Sequence, residues 1–131
     1  MKLVTQEEQA GCGVACVASI LKLKYRQAKK LFKKNSTKGY YCKELVSALR
    51  KSGKNYSYKK ISHSTKKYLN ENGTIVFIRK SKKYPIGHYL LKTKNGWMNS
   101  WINYPSIKPV KSGYNKKLPG KPQWILYNNK L

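Results

Sequence analysis

Apolar residues recur at helical spacing in the first half of the chain. Residues 12–23 carry an apolar side chain every three or four positions, which predicts a helix that begins at Cys12. The same spacing predicts a second helix over residues 25–34 and a third over Cys42–Lys51, which ends at Ser52-Gly53. Residues 35–39 read Asn-Ser-Thr-Lys-Gly and predict a break between these two helices.

The pattern changes to that of strands in the second half. Alternation over residues 56–61 and an apolar run over residues 74–78 predict two strands, with a short helix over residues 63–70 between them. Residues 86–92 and 97–102 flank Lys94-Asn95-Gly96 and predict a hairpin.

The chain is expected to close with one more strand, over residues 123–127. The preceding residues 103–121 are rich in proline and glycine and predict a long loop that wraps the sheet. Helices followed by strands indicate an α+β fold, with N-terminal helices packed on a C-terminal antiparallel sheet. A length of 131 residues suits a single domain over residues 1–131.

The charged residues of the sequence limit the partners and the catalytic groups that the protein can have. Twenty-nine Lys and Arg stand against four acids, giving a net charge of +25. Such a charge favours a polyanionic partner such as RNA or an acidic protein, although a lysine-rich solvated surface explains it equally well. None of the acids is Asp, which excludes Asp-containing triads and aspartic dyads. A third catalytic member must therefore be Asn, Gln or Glu.

The apolar and cysteine content bears on location and cofactors. Residues 1–9 lack the apolar segment of a signal peptide, and the run over residues 14–21 is too short to span a bilayer, so we expect a soluble, cytoplasmic protein. An odd number of cysteines argues against a disulfide framework. A zinc site from cysteines with His63 or His88 lacks the usual spacing, and we expect no metal and no cofactor.

Cys12 is the candidate nucleophile. A helix start lowers the pKa of a thiol, and Gly11 and Gly13 permit a tight turn and close approach of a substrate. Cys16 lies inside the helix and is expected in the core. Cys42 also begins a helix but has no glutamine at the corresponding upstream position, which makes it the weaker alternative.

Three further residues could complete a thiol hydrolase. Gln6 lies six residues before Cys12, where its amide would donate to an oxyanion, and Gln9 fits this spacing less well. His88 follows a glycine at a strand start and is the candidate base, with His63 as the alternative.

Asn99 is the candidate that orients the imidazole of His88. It begins the segment Asn99-Ser100-Trp101 on the next predicted strand. A two-residue turn at Asn95-Gly96 would instead place Asn103 opposite His88, so Asn103 remains the alternative.

The order Gln6, Cys12-Gly-Val-Ala-Cys16, Gly87-His88-Tyr89 and then Asn99-Ser100-Trp101 resembles the bacteriocin-processing, double-glycine-leader cysteine peptidases of the papain clan. The resemblance covers roughly residues 4–105. It implies a papain-like fold and a peptide or protein substrate. By this similarity Cys12 is the nucleophile, Gln6 the oxyanion residue and His88 the base. Family members usually carry Asp-Pro at Asn99-Ser100, and the peptidase is often the front end of a membrane transporter that this sequence does not show.

Two other function classes fit parts of the sequence. The same scaffold could act on RNA, as a ribonuclease or toxin domain, because lysines interleave with aromatics at residues 56–60 and at Lys82-Lys83-Tyr84. A non-catalytic polyanion-binding module would keep the fold and use only the charge.

Overall fold

Within residues 1–33 and 39–129, which the computed structural model describes, three helices come first and six strands follow. The helices are α1 (Cys12–Leu21), α2 (Tyr25–Lys29) and α3 (Cys42–Lys51). A 3-10 helix (Lys66–Asn70) lies between the first two strands. The strands are β1 (Tyr56–Lys60), β2 (Ile75–Ile78), β3 (His88–Thr93), β4 (Gly96–Asn99), β5 (Gly113–Asn115) and β6 (Pro122–Asn128).

The strands form one antiparallel sheet in the order β1-β6-β2-β3-β4-β5. The predicted α+β fold, with N-terminal helices on a C-terminal antiparallel sheet, is confirmed. β5 lies inside residues 103–121, where a loop without strands was predicted. Its sequence, Gly-Tyr-Asn, is too short to show a strand pattern, and it becomes a strand by pairing with β4.

α1 is the central helix of the molecule. Its sequence is apolar on every side, and most of its residues are buried between the sheet and the other two helices. It ends at Leu21, and the next residue, Lys22, has a left-handed backbone (φ +59°) that directs its N–H group to carbonyls of the last turn.

α2 is shorter than predicted. It ends at Lys29, and the next residues form tighter turns in which Leu31 and Phe32 donate to carbonyls three residues back. These turns bring the Phe32 ring to 4.6 Å from that of Tyr40. The end of the predicted helix at residue 34 and most of the predicted break, at residues 35–38, lie outside the described residues.

Apolar side chains cover both faces of the sheet. On one face, Tyr89, Leu91 and Met98 join the core that α1 and α3 form. On the other, Leu90, Trp97 and their neighbours pack under the 3-10 helix and under residues from the long segment after β4. Alternate residues of β3 therefore enter two different cores.

The hairpin of β3 and β4 turns one residue earlier than an Asn95-Gly96 turn would. Thr93 pairs with Gly96, and Leu91 pairs with Met98, so the two turn residues are Lys94 and Asn95. Continuing this register by one residue places Leu90 opposite Asn99. His88, two residues before Leu90, is then a diagonal neighbour of Asn99 on the same face.

Gly87 lets the chain enter β3 beside His88. Its backbone is left-handed, with φ at +78°, and a Cβ at this position would overlap the ring of Phe77. The space beside this glycine is therefore filled by Phe77.

We expect Gly87→Ala to destabilise the protein by about 2–4 kcal/mol, since it combines left-handed strain with a steric overlap. Gly53→Ala is the matched control: its φ is +85°, but a Cβ there meets nothing within 4 Å, so strain alone should cost about 1 kcal/mol. Urea unfolding of both variants measures the difference. Equal losses of unfolding free energy in the two variants would show that the overlap with Phe77 does not affect stability.

Candidate active site

Cys12 is the first residue of α1, and its sulfur faces the start of β3. The backbone N–H of Tyr89 donates to Sγ at 3.5 Å. The N–H groups of Cys12 and Gly13 also interact with the sulfur, as expected at a helix start whose N–H groups lack helical partners. The nucleophile candidate therefore lies beside the residue that follows His88.

Burial dominates the acidity of this thiol. Cys12 is 9% exposed. Loss of solvent raises the pKa of its thiol to about 11, while the N–H groups of Tyr89, Gly13 and Cys12 lower it by less. The N–H groups at the helix start lower the thiol pKa, as predicted, but desolvation of the thiolate outweighs them, so the pKa in the free state is raised.

The glycines on either side of Cys12 serve packing. A Cβ on Gly11 would overlap the hydroxyl of Tyr25, and one on Gly13 would lie 2.9 Å from a methyl of Leu45. They were expected to give a substrate close access. In the structure they let two helices approach α1, and the space that they leave is already filled.

His88 and Asn99 form a buried pair. His88 Nε2 lies 2.8 Å from Asn99 Oδ1. The backbone N–H of Trp101, which can only donate, also donates to Asn99 Oδ1 at 3.0 Å, and this fixes which end of the amide faces the ring. His88 must then carry its proton on Nε2 to donate to Asn99, which leaves Nδ1 as the basic nitrogen.

Tyr84 and Asn115 hold the other end of the Asn99 amide. Asn99 Nδ2 donates to Tyr84 Oη at 3.1 Å and to Asn115 Oδ1 at 2.9 Å. The ring of Tyr84 also stacks on that of His88, with centroids 4.5 Å apart and planes at 9°. Every hydrogen-bonding group of the Asn99 amide therefore has a partner, and an amide suits this position because it supplies two donors.

Sequence reasoning missed both of these partners. Lys82-Lys83-Tyr84 was interpreted as an RNA-binding pattern, yet Tyr84 is only 2% exposed. Tyr56, in the other such pattern, is equally buried and donates to the carbonyl of Gly73 at 2.6 Å. The sequence signal for Tyr84 was an aromatic residue four positions before a histidine. Asn115 gave no such signal, because it lies on a strand that was not predicted.

Burial also sets the charge state of His88. Loss of solvent lowers the pKa of its imidazole to about 4; the Asn99 hydrogen bond opposes this shift, and the positive field of Lys83 adds to it. At neutral pH the structure therefore holds both the imidazole of His88 and the thiol of Cys12 in their neutral forms.

Gln6 shapes the turn that leads into α1. It is buried, and its Nε2 donates to the carbonyls of Glu8 and Gln9 at 2.8 and 3.0 Å. Its Oε1 accepts from Ser100 Oγ at 2.8 Å, which ties this turn to the end of β4. Both amide hydrogens of Gln6 are thus engaged by backbone carbonyls in the free protein.

The alternative candidates lie elsewhere or have other contacts. Asn103 closes its own loop by donating to the carbonyl of Pro109 and accepting from the N–H of Lys111. His63 is exposed, and Cys16 lies in the core. Cys42 lies 3.7 Å from the hydroxyl of Tyr89, which donates to the carbonyl of Tyr40.

The family assignment comes from the sequence as a whole. Residues 1–116 match the model of the Peptidase C39 family. The chain belongs to the peptidase C39 family. This is a family of cysteine peptidases, so the predicted enzyme class, a cysteine peptidase-like hydrolase, is confirmed, as is the resemblance to bacteriocin-processing peptidases.

Solved structures support the fold independently. The peptidase domain of Streptococcus ComA, described as a bi-functional ABC transporter involved in a quorum sensing pathway, is 22% identical, with a TM-score of 0.59 over 97% of this chain and 96% of that one. The peptidase domain of Streptococcus mutans ComA gives the same identity and TM-score over 99% and 100%. No curated protein matches the chain.

These matches give no support to the ribonuclease, toxin or polyanion-binding alternatives. In residues 1–33 and 39–129, no helix is long and apolar enough to cross a membrane.

The depressed pKa of His88 predicts how stability depends on pH. An unfolded histidine takes up a proton near pH 6.5, whereas folded His88 does so only near pH 4. The unfolded state therefore binds more protons between these values, and stability should fall by about 3 kcal/mol as the pH drops from above 6.5 to 4. Urea unfolding at several pH values measures this loss.

His88→Gln should lack that part of the pH dependence, and His63→Gln, which alters an exposed histidine, should keep it. An unchanged pH profile in His88→Gln would contradict the assignment.

Proposed function

We propose that the chain cleaves peptide bonds with Cys12 as nucleophile, His88 as base and Asn99 as the residue that orients His88. The observations that support this proposal are the buried His88–Asn99 hydrogen bond and the contact between the Cys12 thiol and the backbone N–H of Tyr89, the residue after His88. We assign this activity to a single domain spanning residues 1–131.

The first step starts from a neutral pair. As Cys12 Sγ bonds to the substrate carbonyl carbon, the thiol proton passes to Nδ1 of His88, and the carbonyl π electrons move to the oxygen. Proton transfer during the attack suits this site because burial disfavours both a free thiolate and a free imidazolium. Asn99 keeps the ring in the required tautomer through Nε2.

The oxyanion formed in this step needs donors. The backbone N–H of Cys12 at the start of α1 supplies one, and the Gln6 amide supplies a second by releasing one of its two backbone carbonyls. Ser100 holds the opposite end of the amide, so the Nε2 group can turn without losing its anchor.

The intermediate then collapses in two stages. His88 gives its proton to the leaving nitrogen as the C–N bond breaks, which leaves an acyl group on Cys12. A water molecule, deprotonated by the same imidazole, attacks this thioester and releases the acid product and the thiol.

The surroundings of Cys12 favour a substrate with small residues at the cleavage point. The thiol is largely covered, and the spaces beside Gly11, Gly13 and Gly87 are filled by neighbouring side chains. A peptide whose scissile bond follows two glycines can approach such a site because glycine has no side chain to accommodate. This preference agrees with the double-glycine substrates of the family.

Cys12→Ala should lower kcat on a synthetic Gly-Gly peptide by about 10⁴-fold or more, because the reaction loses its nucleophile. Cys42→Ala is the control, since Cys42 also begins a helix near Tyr89 but has no role in the mechanism. Peptide cleavage followed by mass spectrometry measures both variants. Retained cleavage by Cys12→Ala would exclude the proposed nucleophile.

Asn99→Ala should lower kcat by about 10²-fold with a smaller change in KM, since it frees the ring of His88 without removing the base. Asn103→Ala should leave kcat nearly unchanged, because the side-chain hydrogen bonds of Asn103 to Pro109 and Lys111 close its own loop. Steady-state kinetics on the same peptide compares the two. A larger loss in Asn103→Ala would reverse the assignment of the third member.

A further inference from the structure

A group of exposed cations borders the candidate site on the His88 side. The segment between β2 and β3 carries four of them in five positions, here called the basic rim: Arg79, Lys80, Lys82 and Lys83. The segment leads directly into Gly87 and His88. The basic rim therefore ends five residues before His88 in the chain.

Tyr84 fixes the basic rim in place. Its carbonyl accepts from the N–H groups of Ser81 and Gly87, both at 3.0 Å, and its own N–H donates to Ser81 Oγ at 3.1 Å. At the far end, the backbone N–H of Arg79 donates to the carbonyl of Lys121 at 3.0 Å. The rim is thus carried on an ordered turn whose buried residue stacks on His88.

The charges are near enough to act on a bound substrate. Lys83 Nζ lies 5.6 Å from the centre of the Tyr84 ring, which lies 4.5 Å from that of His88. Screening at physiological salt becomes strong only beyond about 8 Å. The field of Lys83 already reaches His88, where it disfavours the protonated ring.

The two sides of the site differ in how their charges are compensated. On the Cys12 side, Glu7 pairs with Arg26 at 3.0 Å and Glu8 pairs with Lys29 at 2.6 Å. Among the described residues, no ion pair involves the basic rim. The basic rim therefore has no paired acid within the described residues, and an acidic side chain of a ligand would supply a counter-charge.

We propose that the basic rim binds acidic side chains of the peptide substrate within a few residues of the scissile bond. This inference rests on the proposed function and adds a substrate class to it: peptides that carry Glu or Asp close to the cleavage point. Electrostatic attraction of this kind acts mainly on capture of the substrate and therefore on kcat/KM.

A peptide fits the basic rim better than RNA does. Single-stranded RNA is held by bases stacked on exposed aromatic rings. The aromatic residue of this segment, Tyr84, is buried against His88 and Tyr104. The apolar residue that the segment exposes is Ile86, 49% accessible and two positions before His88, which suits an aliphatic side chain of a peptide.

The test compares two triple variants of equal net charge. The rim variant is Lys80→Gln, Lys82→Gln and Lys83→Gln. The control is Lys51→Gln, Lys59→Gln and Lys60→Gln, at the end of α3 and on β1, which β6 and β2 separate from β3. Each is assayed with two Gly-Gly peptides that differ only in Glu or Gln near the scissile bond, at low and high salt.

For the Glu peptide, the rim variant should lose about 10-fold in kcat/KM at low salt, as should the unaltered chain at high salt. The control variant should keep the preference for Glu over Gln. Equal cleavage of both peptides by the unaltered chain, or equal losses in both variants, would overturn the proposal.

Binding separates this proposal from the catalytic one. Fluorescently labelled peptides are titrated into the Cys12→Ala chain, with and without the rim substitutions. Tighter binding of the Glu peptide that depends on the rim supports the proposal whether or not the chain cleaves either peptide. If a single-stranded RNA oligonucleotide binds the rim more tightly than the Glu peptide and displaces it, the rim is a nucleic-acid site and the proposal is wrong.

Discussion

The register of β3 against β4 is the constraint on which the candidate site depends. A turn at Lys94 and Asn95 puts His88 and Asn99 on one face of the sheet as diagonal neighbours, 2.8 Å apart at their polar atoms. A slip by a single residue would send every side chain of one strand to the opposite face. The two hydrophobic cores resist such a slip, because Leu90 and Leu91 are each fully buried on different faces. Hydrophobic packing on both faces of the sheet therefore holds the imidazole and its amide together.

Burial fixes the side chains of this site in position, but it also makes the thiol and the imidazole harder to ionise. It gives the Asn99 amide a complete set of partners and presses the Tyr84 ring onto His88. It also raises the pKa of the Cys12 thiol and lowers that of His88. Both groups are consequently neutral at rest, and the charged forms arise only as the substrate carbonyl accepts the sulfur. The contact between Gln6 and backbone carbonyls belongs to the same resting state.

Much of this arrangement could be predicted from the sequence, since long apolar patterns and a cysteine at a helix start are local signals. α3 spans the predicted residues, and α1 begins at the predicted Cys12. The turn residues of the hairpin could not be predicted, because Lys94-Asn95-Gly96 is compatible with two strand registers. Packing of the strands against residues distant in the chain determines which register forms. Tyr84 was misread because its neighbours are lysines, and only the folded chain shows that its ring turns inward. The glycines near the site were interpreted as leaving space for a substrate. The sequence alone does not show whether the side chain of another residue fills that space.

The place of β6 in the sheet has a consequence for synthesis of the protein. This strand, the last of the described chain, lies between β1 and β2 and pairs with both. Until residues 122–128 have left the ribosome, β1 has no strand to pair with and one edge of β2 is unpaired, so the sheet is incomplete. A nascent chain would thus carry all four candidate residues well before it could hold them in position. Such an order of assembly delays the appearance of a folded protease until β6 has left the ribosome.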